Sequence, residues 1–195
     1  MSPAGVERLR ISGVGGQGVQ LLGEIIAITG MHEGKHVSYL PSYGPESRGG
    51  TSNCHVVLST RKVGSPLVDE PDVLIPMNRP SIDRFEEILK PGGLMIYNAS
   101  LINREPRRDD IVSVAVPMNE LAAKAGEEKA ANMVALGSYI SITESIKKET
   151  LFEKTFPEQF AGAKKKFIPL NTRAVEAGID YVNQHYPTTN YTKKF

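Results

Sequence analysis

The sequence predicts an α/β fold: a three-layer α/β/α sandwich around a mixed, mostly parallel central sheet, with a helical carboxyl-terminal part. From residue 8 to residue 125, short strand-like stretches recur between stretches of helical periodicity, and such alternation is typical of strand–helix–strand units. Beyond residue 131 the apolar spacing is helical almost throughout. A chain of 195 residues suits one core. We therefore expect a single domain over residues 1–186 and a polar tail over 187–195.

The composition excludes several classes of function. Lys and Arg number 23 against 22 Asp and Glu, so no overall positive field attracts nucleic acid. Cys54 is the one cysteine, whereas an iron–sulfur cluster needs about four thiolates, so any cluster must lie elsewhere. No apolar run approaches the roughly 18 residues of a membrane span, and residues 1–10 lack the apolar centre of a signal peptide. We expect a cytoplasmic protein that binds neither nucleic acid nor membrane.

The first forty residues predict a strand, a glycine turn, a helix and a second strand. Residues 8–14 alternate as a strand and lead into the turn Gly13–Gly18. Residues 19–32 carry two apolar stripes at helical spacing, and Gly34 stops the helix. Residues 35–40 form the second strand. Because a helical crossover joins the two strands, we expect them to form a parallel pair, as in a Rossmann-like amino-terminal half.

A long loop and an antiparallel hairpin follow. Residues 41–52 are too rich in Gly, Pro and hydroxyl residues for a helix or strand, and long loops in compact domains usually serve a function. Residues 53–59 alternate as a strand, residues 61–62 can turn the chain, and a return strand can begin at Val63. This hairpin would make the sheet mixed.

The remaining elements continue the alternation of strands and helices. Pro80 lies in the first turn of one helix, and two glycines at 92–93 follow its end. The predicted strands are residues 72–77, 94–98 and 111–116, and the predicted helices are 80–89, 119–125, 131–146 and a helical region from 149 to about 186. We expect the tail to be mobile unless a partner holds it.

The glycine turn allows more than one interpretation. The G-x-G-x-x-G spacing is formed by Gly13, Gly15 and Gly18, and backbone amides at such a turn can hold a phosphate. A nicotinamide site would need an acidic residue about 20 positions further on, where the chain has Leu40 and Pro41. A phosphate loop would need Lys and Ser or Thr where Val19 and Gln20 stand. Close packing of the helix, contact with an anion or partner, and a dinucleotide site all stay open.

The second loop looks built for an anion. Arg48 supplies a guanidinium suited to phosphate or carboxylate, and the neighbouring glycines expose backbone amides. Hydroxyl donors come from Ser47, Thr51 and Ser52. If this loop leaves the sheet beside the glycine turn, the two form one crevice. The alternative is that Arg48 pairs with Glu46 or another acidic residue and only fastens the loop.

Residues with obvious catalytic roles are missing from the sequence. Cys54 lies among apolar neighbours in a predicted strand, which indicates a buried side chain. The histidines show no metal-ligand spacing; they are His32, His36, His55 and His185. We therefore expect no catalytic residue and no metal ligand in this chain.

These motifs together resemble the gamma subunit of 2-oxoacid:ferredoxin (acceptor) oxidoreductases, within the pyruvate/ketoisovalerate oxidoreductase catalytic domain family. The resemblance is carried in chain order by the segments 11–19 (ISGVGGQGV), 42–51 (SYGPESRGGT), 72–75 (DVLI), 89–93 (LKPGG) and 132–137 (NMVALG). It is strongest toward the small, separate subunit of the 2-oxoglutarate and branched-chain 2-oxoacid enzymes, to which the indolepyruvate and pyruvate enzymes are related.

The resemblance implies a role in a larger enzyme. Such enzymes oxidatively decarboxylate a 2-oxoacid, use coenzyme A to form an acyl-CoA, and reduce ferredoxin. The substrate we expect here is 2-oxoglutarate. Thiamine diphosphate lies between alpha and beta subunits, and iron–sulfur clusters are carried elsewhere, in some enzymes on a ferredoxin-like delta subunit. The gamma subunit is implicated in covering the active site and in coenzyme A passage.

The resemblance also implies which residues face the cofactors. They are Gly13, Gly15, Gly16, Gln17, Gly18, Tyr43, Glu46, Ser47, Arg48, Gly49, Gly50 and Thr51. Within this set we expect Arg48 and the loop amides to meet an anion, either a coenzyme A phosphate or an acidic group of a partner. Two other functions stay open: a stand-alone nucleotide- or anion-binding module, and a purely structural bridging subunit.

Overall fold

The computed structural model describes residues 5–44 and 50–195 of the chain. Six strands form one sheet in this part of the chain. They are β1 (Val6–Val14), β2 (His36–Tyr43), β3 (Thr51–Ser59), β4 (Val73–Pro76), β5 (Leu94–Asn98) and β6 (Val112–Val116). The strand order across the sheet is β2-β3-β1-β4-β5-β6.

The sheet is mixed, as the sequence predicts, but its pairing differs from the prediction. β1, β4, β5 and β6 are parallel neighbours, whereas β3 is antiparallel to both β1 and β2. The expected parallel pair of β1 and β2 is therefore wrong, because β3 lies between them. The expected hairpin is wrong as well: no return strand follows Val63, and residues 60–72 run as an irregular segment. Both edges of β3 are already occupied, so a return strand has no partner there.

Helices cover both faces of the sheet and confirm the three-layer α/β/α architecture. The helices are α1 (Val19–His32), α2 (Arg79–Phe85), α3 (Met118–Ala125), α4 (Ala131–Thr143), α5 (Lys148–Thr150), α6 (Phe156–Gln159) and α7 (Ile168–His185). α1 and α4 pack on one face against apolar side chains such as Leu9 and Ile11 of β1. α2 packs on the opposite face, where Ile82 and Phe85 join Leu74 of β4 in a second cluster.

Two predicted boundaries shift once the pairing is known. β2 extends to Tyr43 and β3 begins at Thr51, so the predicted loop over 41–52 is shorter than expected. Pro41 is tolerated in β2 because this strand lies at the edge of the sheet. The predicted helical region after residue 149 is also interrupted, by a π-helical turn at Leu151–Thr155 and a 3₁₀ turn at Gly162–Phe167.

The carboxyl-terminal tail is docked on the domain, contrary to the expectation that it is mobile. Tyr191 is buried and belongs to the main apolar core. The Gly5 amide donates to the Lys194 carbonyl at 2.7 Å, and the Lys193 ammonium lies 2.6 Å from a Glu144 carboxylate oxygen. Because most residues of the tail are polar, its composition did not indicate that Tyr191 would anchor it.

Close packing between α4 and α7 depends on two glycines. A Cβ atom added at Gly137 would lie 1.9 Å from the Val175 carbonyl oxygen, and one added at Gly178 would lie 2.1 Å from the Val134 carbonyl oxygen. Both obstacles are backbone atoms, so no rotamer change can relieve the overlap. The two helices can approach this closely only because both positions lack a side chain.

Gly137→Ala and Gly178→Ala should each destabilise the fold by about 2 to 3 kcal/mol, because the added methyl group forces α4 and α7 apart. The measurement is denaturant-induced unfolding of the full chain. Gly64→Ala is the control, since a Cβ there meets nothing within 4 Å. Equal stability of all three variants would contradict the role of the glycine contact.

A buried carboxyl group lies at the amino end of β1. Glu7 is fully buried, and it accepts hydrogen bonds from Tyr139 of α4 at 2.5 Å and from Tyr191 of the tail at 3.0 Å. Burial raises the pKa of Glu7 from 4.5 to about 7, although the two tyrosine hydrogen bonds act in the opposite direction, and the charge of Asp72 adds to the increase. The carboxyl group therefore joins β1, α4 and the tail mainly in its protonated form below neutral pH.

The stability of the protein should fall as pH rises from about 4.5 to about 7. Between these values the folded state holds a proton that the unfolded state has released, so rising pH favours unfolding, by on the order of 3 kcal/mol in total. Glu7→Gln should remove this dependence, and Glu149→Gln, at an exposed position, should retain it. The unfolding free energy measured from pH 5 to 8 decides between the variants; a wild-type profile in Glu7→Gln would refute this assignment.

Candidate functional site

The glycine turn and the second loop meet at one edge of the sheet. Because β1 and β3 are antiparallel, the end of β1 lies opposite the start of β3, with Val14 paired to Thr51. The Gly15 amide donates to the Gly50 carbonyl at 3.0 Å, and the Gly44 amide donates to the Thr51 carbonyl at 2.7 Å. The glycine turn and the ends of the second loop, which were expected to form a crevice, therefore lie side by side. They are brought together by β3, and not by a pairing of β1 with β2.

Part of the predicted site lies outside the described residues. This part is Glu46, Ser47, Arg48 and Gly49. The predicted contact of Arg48 with an anion, and the alternative ion pair between Arg48 and Glu46, therefore both stay predictions.

Two glycines of the turn are required by packing within the chain. A Cβ atom at Gly13 would lie 2.9 Å from the Val19 side chain, and one at Gly18 would lie 2.3 Å from the Asn132 amide nitrogen. Gly18 also has a φ of +70°, which favours glycine. Close packing of α1, one of the three interpretations of the sequence, accounts for these two positions.

The other two glycines face outward. Gly15 and Gly16 are exposed, and a Cβ atom at Gly16 would meet nothing within 4 Å. Gly16 has a φ of +98°, so its backbone conformation favours glycine even though there is room for a side chain. Nothing in the described chain covers this stretch of bare backbone, which a ligand or a partner chain can approach closely.

Gln17 holds the turn in place with its side chain. Its Oε1 atom accepts from the Val14 amide at 2.9 Å, and its Nε2 atom donates to the Met77 carbonyl at 3.3 Å. These bonds join the end of β1 to the end of β4. Both polar groups of the Gln17 side chain contact the chain itself, and these contacts hold Gly15 and Gly16 in position. That Gln17 also faces the cofactors stays a prediction.

Tyr43 and Thr51 extend the exposed edge beside the turn. Tyr43 is 70% exposed at the end of β2, and Thr51 is exposed at the start of β3. A large aromatic side chain held at the end of a strand and open to solvent is suited to contact with another surface. Together with Gly15 and Gly16, these two residues form what we call the turn edge.

A polar network beside the turn was not predicted. Asn98, at the end of β5, is fully buried; its amide nitrogen donates to the Met77 carbonyl at 3.2 Å and to Asn119 at 2.7 Å. Asn119 in turn donates to Glu128 at 2.9 Å. A signal was present in the sequence, because Asn98 ends a predicted parallel strand and the carboxyl ends of such strands are where sites form.

This network borders a cleft of about 210 Å³ next to the turn. Its lining residues are Gly16, Gln17, Met77, Asn119, Glu127, Glu128, Lys129 and Ala131. Two carboxylates and one ammonium give the described lining a net negative charge. These residues alone do not form an anion site.

The described residues contain neither an activated thiol nor a metal-binding cluster. Cys54 is buried, as predicted, and its thiol points to the Val19 carbonyl at 3.6 Å. Burial raises the pKa of Cys54 to about 12, so the thiolate is not formed at neutral pH. Within residues 5–44 and 50–195 no group of three His, Cys, Asp or Glu side chains could hold a metal ion, and no helix has the length and apolarity of a membrane span.

Gln17→Glu should destabilise the turn by roughly 1 to 3 kcal/mol. A carboxylate cannot donate a hydrogen bond to the Met77 carbonyl, and its oxygen would lie against the carbonyl oxygen. Gln184→Glu is the matched control, since Gln184 is exposed on α7. Chemical unfolding of the full chain at pH 8 measures both variants. Equal stability of the two variants would show that Gln17 does not hold the turn.

Comparisons with known proteins show the family of this chain. Residues 8–181 match the family described as pyruvate ferredoxin/flavodoxin oxidoreductase. The ketoisovalerate oxidoreductase subunit VorA of Methanothermobacter thermautotrophicus is 40% identical over 178 residues, which cover 91% of this chain and 37% of that protein. The chain thus spans little more than a third of the length of this relative.

Two solved structures share the fold. The gamma subunit of a keto/oxoacid ferredoxin oxidoreductase from Geobacter sulfurreducens has a TM-score of 0.76 and 29% identity, over 89% of this chain and 96% of that one. A 2-oxoglutarate:ferredoxin oxidoreductase from Magnetococcus marinus has a TM-score of 0.85 and 24% identity, over 98% of this chain and 32% of that one. With the family match over most of its length, the chain belongs to the pyruvate ferredoxin/flavodoxin oxidoreductase family.

Proposed function

We propose that this chain is the gamma-type subunit of a 2-oxoacid:ferredoxin oxidoreductase. The complete enzyme would convert a 2-oxoacid and coenzyme A to an acyl-CoA and carbon dioxide, and pass two electrons to ferredoxin. The observation that carries the proposal is the bare backbone of Gly15 and Gly16 at the turn edge, which has no catalytic group. It is supported by the structural match, which covers 96% of an oxidoreductase gamma subunit.

The chemistry would be supplied by other subunits. A single buried cysteine cannot hold an iron–sulfur cluster, and the described residues contain no group of acidic and histidine side chains for a metal. Thiamine diphosphate, its metal ion and the clusters would therefore be bound by the alpha and beta subunits and by a ferredoxin-like subunit where one is present. When bound there, thiamine diphosphate supplies the carbanion stabilisation that decarboxylation needs.

The role of this chain would be to cover the active site and to help position coenzyme A. The turn edge fits the close approach of a phosphate or of a partner backbone, because Gly16 leaves open space and its amide is not hidden by a side chain. The described cleft lining fits a phosphate less well, since Glu127 and Glu128 outnumber Lys129. Arg48 is the residue that would supply the missing positive charge.

The substrate proposed here is a 2-oxoacid, with two candidates. 2-Oxoglutarate is the substrate that the sequence resemblance favours, and it is also named for the Magnetococcus enzyme, whose structure holds coenzyme A and succinyl-CoA. Ketoisovalerate, a branched-chain 2-oxoacid, is named for the relative with 40% identity. The side chain of the substrate would be selected mainly by another subunit.

The other two functions have less support. A dinucleotide-binding module needs the second strand beside the first, with an acidic residue at its end; here β3 separates β1 from β2, which ends at Tyr43. A purely structural bridging subunit would use the turn edge for protein contacts alone. If the chain is only a bridging subunit, substitutions at the turn edge should leave the KM for coenzyme A unchanged, whereas our proposal predicts a change.

The test is co-expression of this chain with the alpha and beta subunits, followed by an assay of 2-oxoglutarate, ketoisovalerate and pyruvate. We expect co-purification and coenzyme A-dependent reduction of ferredoxin that is lost when this chain is left out. Absence of the partners from the purified complex, or full activity without this chain, would refute the proposed function.

Arg48→Ala in the same complex should raise the KM for coenzyme A by roughly ten-fold or more, because a charge-assisted contact is worth about 1.5 to 3 kcal/mol. Arg61→Ala is the control: Arg61 is exposed beyond the other end of β3. An unchanged KM in Arg48→Ala, with normal assembly, would favour the bridging subunit.

A further inference from the structure

A strongly basic segment lies on the surface directly before α7. It is the 3₁₀ turn Gly162–Phe167, which we call the basic turn, and it carries three consecutive lysines, Lys164, Lys165 and Lys166. Every residue from 161 to 167 is exposed, and residues 159–175 include neither Asp nor Glu. The proposed function, as stated above, does not use these lysines.

The charge of the basic turn is not neutralised within the described part of the chain. None of its three ammonium groups forms an ion pair with a carboxylate there. The Lys166 ammonium lies 5.3 Å from the centre of the Phe167 ring, and this contact leaves the positive charge in place. By comparison, the exposed Lys193 lies 2.6 Å from Glu144. The basic turn therefore presents three positive charges to the solvent.

The stability of the fold does not explain these charges. α7 begins at Ile168, immediately after the basic turn, and its first turn contains no acidic residue. The amino end of a helix carries a partial positive charge, which negative side chains stabilise and positive side chains destabilise. Because the lysines lie at this end, they lower the stability of α7. A negatively charged partner outside the chain explains their position better than a role in the fold.

An exposed aromatic side chain adjoins the lysines. Phe167 is 45% exposed, whereas its neighbour Ile168 is partly buried and packs against the main core. Aromatic side chains are enriched at protein interfaces, where charges around them steer the encounter of the two partners. The basic turn combines both features, which suits contact with another protein.

The basic turn is connected to the cleft beside the glycine turn. In the second turn of α7, the Arg173 Nε atom donates to the Ala125 carbonyl at 3.0 Å. The segment that follows Ala125 lines the cleft with residues 127–129. A partner that covers the cleft can therefore extend along this segment to the start of α7 and the basic turn.

We propose that the basic turn docks on an acidic protein surface of the alpha–beta part of the enzyme, with Phe167 in contact with apolar side chains there. This inference rests on the proposed function, which supplies the partner. Nucleic acid fits less well, because the formal net charge of the chain is only +1. A membrane surface also fits less well, since such binding needs a broad apolar helix face, and the apolar side chains of α7 belong to the core.

The test is the rate at which the full chain associates with the co-expressed alpha and beta subunits at increasing sodium chloride concentration. The variant Lys164→Gln/Lys165→Gln/Lys166→Gln should associate roughly ten-fold more slowly than the wild type at low salt, and its rate should depend less on salt. The control Lys147→Gln/Lys148→Gln/Lys154→Gln loses the same charge at exposed positions and should associate like the wild type. Phe167→Ser should dissociate roughly ten-fold faster, because it loses the apolar contact.

The outcomes separate this inference from the proposed function. If the wild-type chain assembles and the two triple variants associate at the same rate, the docking role is overturned and the proposed function stands. If the wild-type chain does not assemble, both are refuted. A higher KM for coenzyme A in the basic-turn variant, with unchanged assembly, would overturn docking in favour of a coenzyme A contact.

Two further measurements complete the test. The basic-turn variant should unfold at the same denaturant concentration as the wild type or a higher one, because the lysines destabilise the start of α7; clear destabilisation would show that they serve the fold. The chain should bind neither a DNA duplex nor phosphatidylglycerol vesicles through these lysines. Lysine-dependent binding to either, with assembly unaffected by the substitutions, would overturn the proposal.

Discussion

The structure depends on the pairing of β1, which is antiparallel to β3 on one side and parallel to β4 on the other. This arrangement places the end of β1 beside the start of β3 and the end of β4, so three chain segments meet where the glycine turn begins. The bond from Gly15 to Gly50 and the two bonds of Gln17 follow from it. Gly15 and Gly16 are therefore held between β3 on one side and the end of β4 on the other.

The same strand divides its side chains between two environments. On the face toward α4, Glu7 is bonded by Tyr139 and Tyr191, and its carboxyl group connects the sheet to the tail. On the opposite face, the Arg10 Nε atom and the Ser12 Oγ atom have no hydrogen-bond partner among the described residues. A buried polar group stabilises a fold only when its partners are present, so the Glu7 cluster has a structural explanation within the chain.

Much of the fold could be predicted from local patterns. The limits of α1 and β5 match the sequence prediction, because the glycine turn, the apolar stripes and the flanking glycines all act within a few residues. The neighbours of β3 could not be predicted, because alternation in residues 53–59 shows that a strand forms but not which strands it joins. Of the candidate site, the motif predicts the turn that exposes Gly15 and Gly16, whereas the Asn98 network depends on contacts between distant segments.

We propose that the turn edge is the surface this chain presents to the rest of an oxidoreductase. Hydrogen–deuterium exchange, measured on the chain alone and on the complex with alpha and beta subunits, tests this placement. Exchange should slow on complex formation in residues 13–18 and 43–51, while exchange in β5 should be unchanged. Unaltered exchange at the turn edge, with slowing confined to other surfaces, would contradict it.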